Sequence, residues 1–117
     1  QALAAAYRRA ANILRIEEKK TGEVPAKVDP SLLTLAEEVR LWEVLNDIDV
    51  AVREALDSEQ FSTAMTVFAT LRGPVDAFFE KVVVNDADPA LRYNRLGLLK
   101  TLRAAMDRVA EFQRVEG

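Results

Sequence analysis

Residues 73–96 read GPVDAFFEKVVVNDADPALRYNRL, and the parsing of this stretch decides the fold. Val75, Phe78, Phe79 and Val82 recur at three- and four-residue intervals, the spacing that gathers side chains on one helix face. Proline is tolerated in the first turn of a helix but not in its interior. The spacing therefore predicts a break or sharp kink near Gly73 and a short helix starting at Pro74. Residues 81–87 read as the end of that helix and a loop. Asp88 and Pro89 then supply a capping carboxylate and a first-turn proline for a long last helix. Its apolar stripe is Leu91, Leu98, Leu102, Ala105, Met106 and Val109.

Working back toward the amino terminus, the same period continues. Phe61, Ala64, Met65, Phe68 and Leu71 predict a third helix opening at Ser58 or Glu59. Leu41, Leu45, Ile48, Val52 and Leu56 predict a second, started near Ser31 or Thr34, where TLAE offers a capping hydroxyl with Glu37 three positions on. Pro25 and Pro30 bound a connector. Leu3, Tyr7, Ala10 and Leu14 predict a first helix, ended at Gly22 by a left-handed cap. Only the short VVV run suggests a strand, and no internal repeat is present. The expected fold is all-α, a single domain of about five helices in a bundle over residues 1–117.

Half of the 117 residues are apolar and 30% are charged, a balance that supports a folded core rather than disorder. The chain has neither cysteine nor histidine, which removes thiol nucleophiles, disulfides, the usual zinc ligands and the readiest proton carrier near neutrality. No bound metal and no catalysis by this segment alone are expected. Without a run long enough to span a bilayer or a visible signal peptide, a cytoplasmic setting is expected. Gln1 enters directly into a helical pattern, as expected of a piece cut from a longer protein or of a processed or renumbered terminus. The net charge of −3 is unevenly spread: residues 1–27 carry +3, residues 28–71 carry −7 and residues 72–117 carry +1. A polyanion would have to be met by local patches.

Two polar residues stand where the core would normally be continuous. Asn94 and Arg95 fall about 60° and 40° to either side of the last helix's stripe. A buried guanidinium needs a carboxylate, and Asp76 and Glu80, one turn apart just upstream, are the candidate partners; an Arg95 to Asp76 pair would fix how the fourth helix meets the fifth. The first helix carries Arg8, Asn12, Arg15 and Lys19 on one face, a basic and polar ribbon. With Lys81, Arg92, Asn94 and Arg95 near the fourth-to-fifth junction, it offers groups for phosphates and base edges if the two sets converge. Tyr93 points off the stripe and is the better stacking candidate, whereas Phe78 and Phe79 belong to the core with at most one partly exposed. Trp42 is expected at the edge of the second helix's stripe, and Glu43, Asp47 and Glu54 on a solvated face.

Five segments in order carry a resemblance: YRRAANIL (7–14), VDPSLLT (28–34), PVDAFFEKVVV (74–84), ALRYNRLGLL (90–99) and RVAEF (108–112). Together they resemble the C-terminal anticodon-binding domain of bacterial glycyl-tRNA synthetase beta subunits, within the DALR-type helical group whose name motif PALR (89–92) is similar to. The resemblance implies a non-catalytic domain that holds the anticodon arm of the tRNA for glycine. The parent enzyme would be an α2β2 glycine–tRNA ligase whose alpha subunit activates glycine with ATP and Mg, so that the domain itself needs no cofactor. The chain departs from the pattern in its polar ending EFQRVEG and in Gly73. The competing expectation is a helical protein–protein interaction module docking a partner helix or subunit.

Overall fold

The computed structural model describes residues 2–22, 27–84 and 86–116, with the side chains of 2, 3, 21, 56, 61 and 109–116 outside that description. Its elements are α1 (Ala2–Thr21), a 3₁₀ turn (Pro30–Leu32), α2 (Ala36–Asp57), α3 (Phe61–Ala69), α4 (Arg72–Lys81) and α5 (Pro89–Glu116). No strand occurs among the described residues. At about 1.5 Å per residue the 28 residues of α5 reach about 42 Å, and the longest dimension of the molecule is 44 Å. The last helix is thus the spine. On one flank α1 packs against α5 and α4; on the other, α2 packs against α3, α4 and α5. Ala10, Leu14, Leu41, Leu71, Val75, Phe78, Leu98, Leu99 and Leu102 close the core between them. Leu3, Leu56, Phe61 and Val109, assigned to stripes from the sequence, have side chains outside the described set.

The punctuation of the bundle follows local chemistry. Gly22 ends α1 at φ 74°, its amide bonded to the Glu18 carbonyl at 2.7 Å. Asp88 caps α5 through its carboxylate, which accepts from the Ala90 amide at 2.9 Å. Three expectations shift. The α3–α4 break falls at Thr70 and Leu71, not Gly73. Thr70 turns both its amide and its hydroxyl onto the Val67 carbonyl, and the new helix already includes Pro74 in its first turn, where a missing amide costs nothing. The third helix opens at Phe61 rather than at Ser58 or Glu59, because Glu59 sits at φ 57°. There it reverses the chain after α2, letting the Gln60 amide reach the Ala55 carbonyl at 2.7 Å. Finally, it is Glu38, not Glu37, that reaches back over the start of α2, accepting from the amides of Leu35 (3.0 Å) and Thr34 (3.3 Å).

The connector before α2 lies across α5. Gly97 permits this: a methyl group there would stand 3.2 Å from the Lys27 carbonyl oxygen and 3.3 Å from the Val28 side chain. After α4 the chain is extended at Val82, with Val82 buried, Val83 exposed and Val84 half-buried. The VVV run thus keeps a strand's alternation without a strand's partner.

Candidate nucleic-acid interface

Asn94 and Arg95, the two polar residues beside the α5 stripe, both turn inward. Each is 3% exposed. Asn94 accepts from the Asp29 amide at 2.7 Å and donates to the Asp29 carbonyl at 3.1 Å, gripping the connector as a neighbouring strand would. Arg95 donates through Nε and Nη2 to the two oxygens of Glu38 at 3.1 and 3.2 Å. Its Nη1 reaches the Val83 carbonyl (2.8 Å) and Asp86 (3.1 Å). Burial would push the Glu38 carboxyl up, but the Arg95, Leu35 and Thr34 hydrogen bonds outweigh it and hold the group below its ordinary value. The expected Arg95 to Asp76 pair is therefore corrected. Asp76 is exposed on α4, while Glu38, at the first turn of α2, faces the spine where the guanidinium emerges. With every polar arm of the two side chains used inside the protein, Asn94 and Arg95 are struck from the groups that could face a ligand.

The other junction residues divide. Arg92 is half-buried and ion-paired with Glu17 of α1. Lys81 is exposed, with Glu80 4.0 Å away. Tyr93 stands between Arg92, tied to α1, and Asn94, tied to the connector, and so projects outward at 45% exposure. Phe78 is fully buried and Phe79 partly, their rings meeting edge to face at 5.5 Å. Arg9 lies 4.5 Å over the Phe79 ring, and Trp42 is half-buried against the core.

On α1, Arg8, Asn12, Arg15 and Lys19 are all exposed. They span an arc of about 60° pointing away from Ala6, Ala10 and Leu14. None of Arg8, Arg15 or Lys19 has a carboxylate partner among the described residues. Of the second set named from the sequence, Arg92 and Arg95 are neutralised internally and Asn94 is bound to the connector, while Lys81 stays exposed beside Glu80. A different pairing replaces that set. Tyr7 donates to Asp107 at 2.7 Å and Arg92 meets Glu17, so α1 and α5 run antiparallel. Tyr93 and Lys100 then lie about 20° apart on α5 and open to the same side as the α1 ribbon, opposite the α4 contact. The resulting face carries Arg8, Asn12, Arg15, Lys19, Tyr93 and Lys100.

Charge is sorted across the bundle. Helix α1 holds five basic and two acidic residues, a net +3, whereas α2 holds two basic and seven acidic, a net −5. Since α4 and α5 each pack toward both flanks, the basic and acidic helices sit on opposite sides of the spine. Among the described residues no group of three or more carboxylates gathers as a metal site, and no helix is long and apolar enough to cross a membrane.

Comparison with known sequences matches residues 3–111 to the DALR anticodon binding domain. The chain belongs to that family. It is 51% identical over 116 residues to the glycine–tRNA ligase beta subunit of Phenylobacterium zucineum. Over 117 residues it is 49% identical to that of Rhodospirillum centenum, and over 113 residues 41% identical to that of Nitrosomonas europaea. These matches take in 97–98% of this chain but only 15–17% of each relative, so the chain spans about a sixth of their length.

In this DALR domain, Glu38 and Lys100 were the residues that sequence reasoning missed. Glu38 carried a legible signal, because it precedes Leu41 and Leu45 by three and seven positions and so lies in the buried stripe of α2. Lys100 carried one too, seven residues beyond Tyr93 and hence two helix turns along the same face.

Proposed function

We propose that the DALR domain binds the anticodon arm of tRNA on the face formed by α1 and α5. The observation that supports this most directly is the sorting of charge. Unpaired Arg8, Arg15 and Lys19 stand on the basic flank, separated from the carboxylates of α2 by the width of the bundle. Such a surface draws the phosphate backbone of a stem-loop despite a net charge of −3. Tyr93 and the amide of Asn12 add a stacking plane and a base-edge reader, the means by which proteins recognise unpaired loop bases. As a segment of a glycine–tRNA ligase beta subunit, the domain would dock the tRNA for glycine, with the alpha subunit and its ATP and Mg supplying aminoacylation elsewhere in a cytoplasmic enzyme. Its own contribution is binding and positioning.

The test is titration of wild type and the Arg8→Glu, Arg15→Glu double variant with a fluorescent glycine-tRNA anticodon stem-loop at several salt concentrations. The double variant should bind more weakly, with a log K against log salt slope reduced by roughly 0.7–0.9 for each lost phosphate contact, and an unchanged melting temperature. Affinity indifferent to these substitutions, or to the anticodon sequence, would refute the assignment.

A further inference from the structure

A groove of about 420 Å³ lies on the α4 side of α1, about 100° around that helix from the basic ribbon. Its walls are α1, the end of α4, the three valines after it, and Arg92 and Leu96 of α5. Ile13 and Ile16 of α1 face Val82, Val83 and Val84 across it. Ile16 and Val83 are 52% and 65% exposed, and no other groove residue ranks among the exposed large hydrophobics. Along α1 the order is Arg9, Ile13, Ile16, Lys20, an aliphatic centre bracketed by two cations about 16 Å apart, or three helix turns. Neither cation has a carboxylate partner among the described residues; Arg9 only covers the Phe79 ring.

We propose that this groove seats an amphipathic helix from the remainder of the polypeptide, with aliphatic residues at i, i+3 or i+4 and i+7 and carboxylates at both ends. The inference rests on reading the domain as part of a beta subunit. The matched stretch is 15–17% of each relative's length, so most of such a polypeptide lies outside the domain. The chemistry favours protein over RNA. The lining is mostly aliphatic, its one aromatic ring, Phe79, is already covered by Arg9, and the exposed Glu80 on the rim would repel phosphates, whereas a helix inserting aliphatic anchors into a groove is a common mode of docking. An acidic aliphatic helix would meet the two unpaired cations and cover the exposed side chains at once.

The experiment is photo-crosslinking of the intact beta subunit, without tRNA, with p-benzoyl-phenylalanine at Val83 and, as a control, at Val50 on the outer face of α2, 58% exposed. The expected result is an intramolecular crosslink from position 83, mapping to a helix outside residues 1–117 whose apolar positions are flanked by acids. Its yield should fall roughly tenfold in the Arg9→Glu, Lys20→Glu variant, as two attractions become repulsions. Equal yields from positions 83 and 50, insensitivity to the charge reversal, or capture of the alpha subunit or a second copy would overturn the proposal. So would capture of added tRNA at position 83. Stem-loop titration of the same protein separates the outcomes: tRNA binding without the crosslink sinks this inference alone, and the crosslink without tRNA binding sinks the functional reading alone.

Discussion

Replacing Arg95 by methionine removes the guanidinium while keeping most of its aliphatic volume. It leaves the Glu38 carboxylate, 0% exposed, with the Thr34 and Leu35 donors but no counter-charge. Breaking a buried pair from one side costs about 3–5 kcal/mol. Asp86 adds little to that figure, since its side chain is 33% exposed and can return to water. At roughly 2.1 cal/mol/K of unfolding entropy per residue, 117 residues convert such a loss to a fall of roughly 12–20 °C in Tm. The loss should depend on pH with a definite sign. In wild type the Glu38 carboxyl titrates below its ordinary value of 4.5. Its stabilisation is therefore present above that value and disappears as pH falls through the lower folded value. In the variant the dominant influence on Glu38, burial, still raises its pKa and is no longer opposed by Arg95. Glu38 then takes up a proton at higher pH, which relieves the buried charge. The stability gap between the two proteins, measured by urea unfolding followed by circular dichroism, should be widest at pH 7 and shrink with acid, starting above pH 4.5 where the variant's Glu38 takes up its proton and ending below it where wild-type Glu38 does. A gap under about 1 kcal/mol at pH 7, or one that does not narrow with acid, would refute the pairing argument.

Other predictions rest on single contacts. Asn94→Ala removes both bonds to Asp29 and should cost about 2 kcal/mol, with the Asp29 amide losing its protection in hydrogen exchange. Glu59→Gly relieves a left-handed residue at the α2–α3 reversal and should raise stability by about 1 kcal/mol in thermal melts. Arg92→Glu sets a second carboxylate against Glu17 and should lower Tm. That outcome separates it from Arg8→Glu, which should change stem-loop affinity with no shift in melting.

Helix existence was legible because it depends on periodicity, and the Asp88–Pro89 and Gly22 signals were legible because their partners lie within four residues. What stayed hidden was long-range. The carboxylates near Arg95 in sequence belong to residues such as Asp76, nineteen positions away, whereas its partner is Glu38, fifty-seven positions away, and only the packing of α2 on α5 brings that group near. Gly73 and Pro74 are the conspicuous residues near the α3–α4 break. The chain in fact turns at Thr70, whose hydroxyl competes for a helical carbonyl without any strong compositional mark. The ribbon on α1 was readable as a face, but whether anything neutralised it was not. In the second set, which looks equivalent in sequence, Arg92 and Arg95 are consumed by Glu17, Glu38 and Asp86, while Lys81 stays exposed.

The separation of α1 from α2 also bears on how the molecule travels. Opposite charges held on opposite flanks give it a dipole moment, and a dipole near a polyanion rotates before it touches. The acidic side is pushed outward and the Arg8 side swung in, so a larger share of collisions begins in a productive orientation. Added salt should then slow arrival more than it speeds departure, a kinetic bias lodged in the placement of two helices rather than in any one contact.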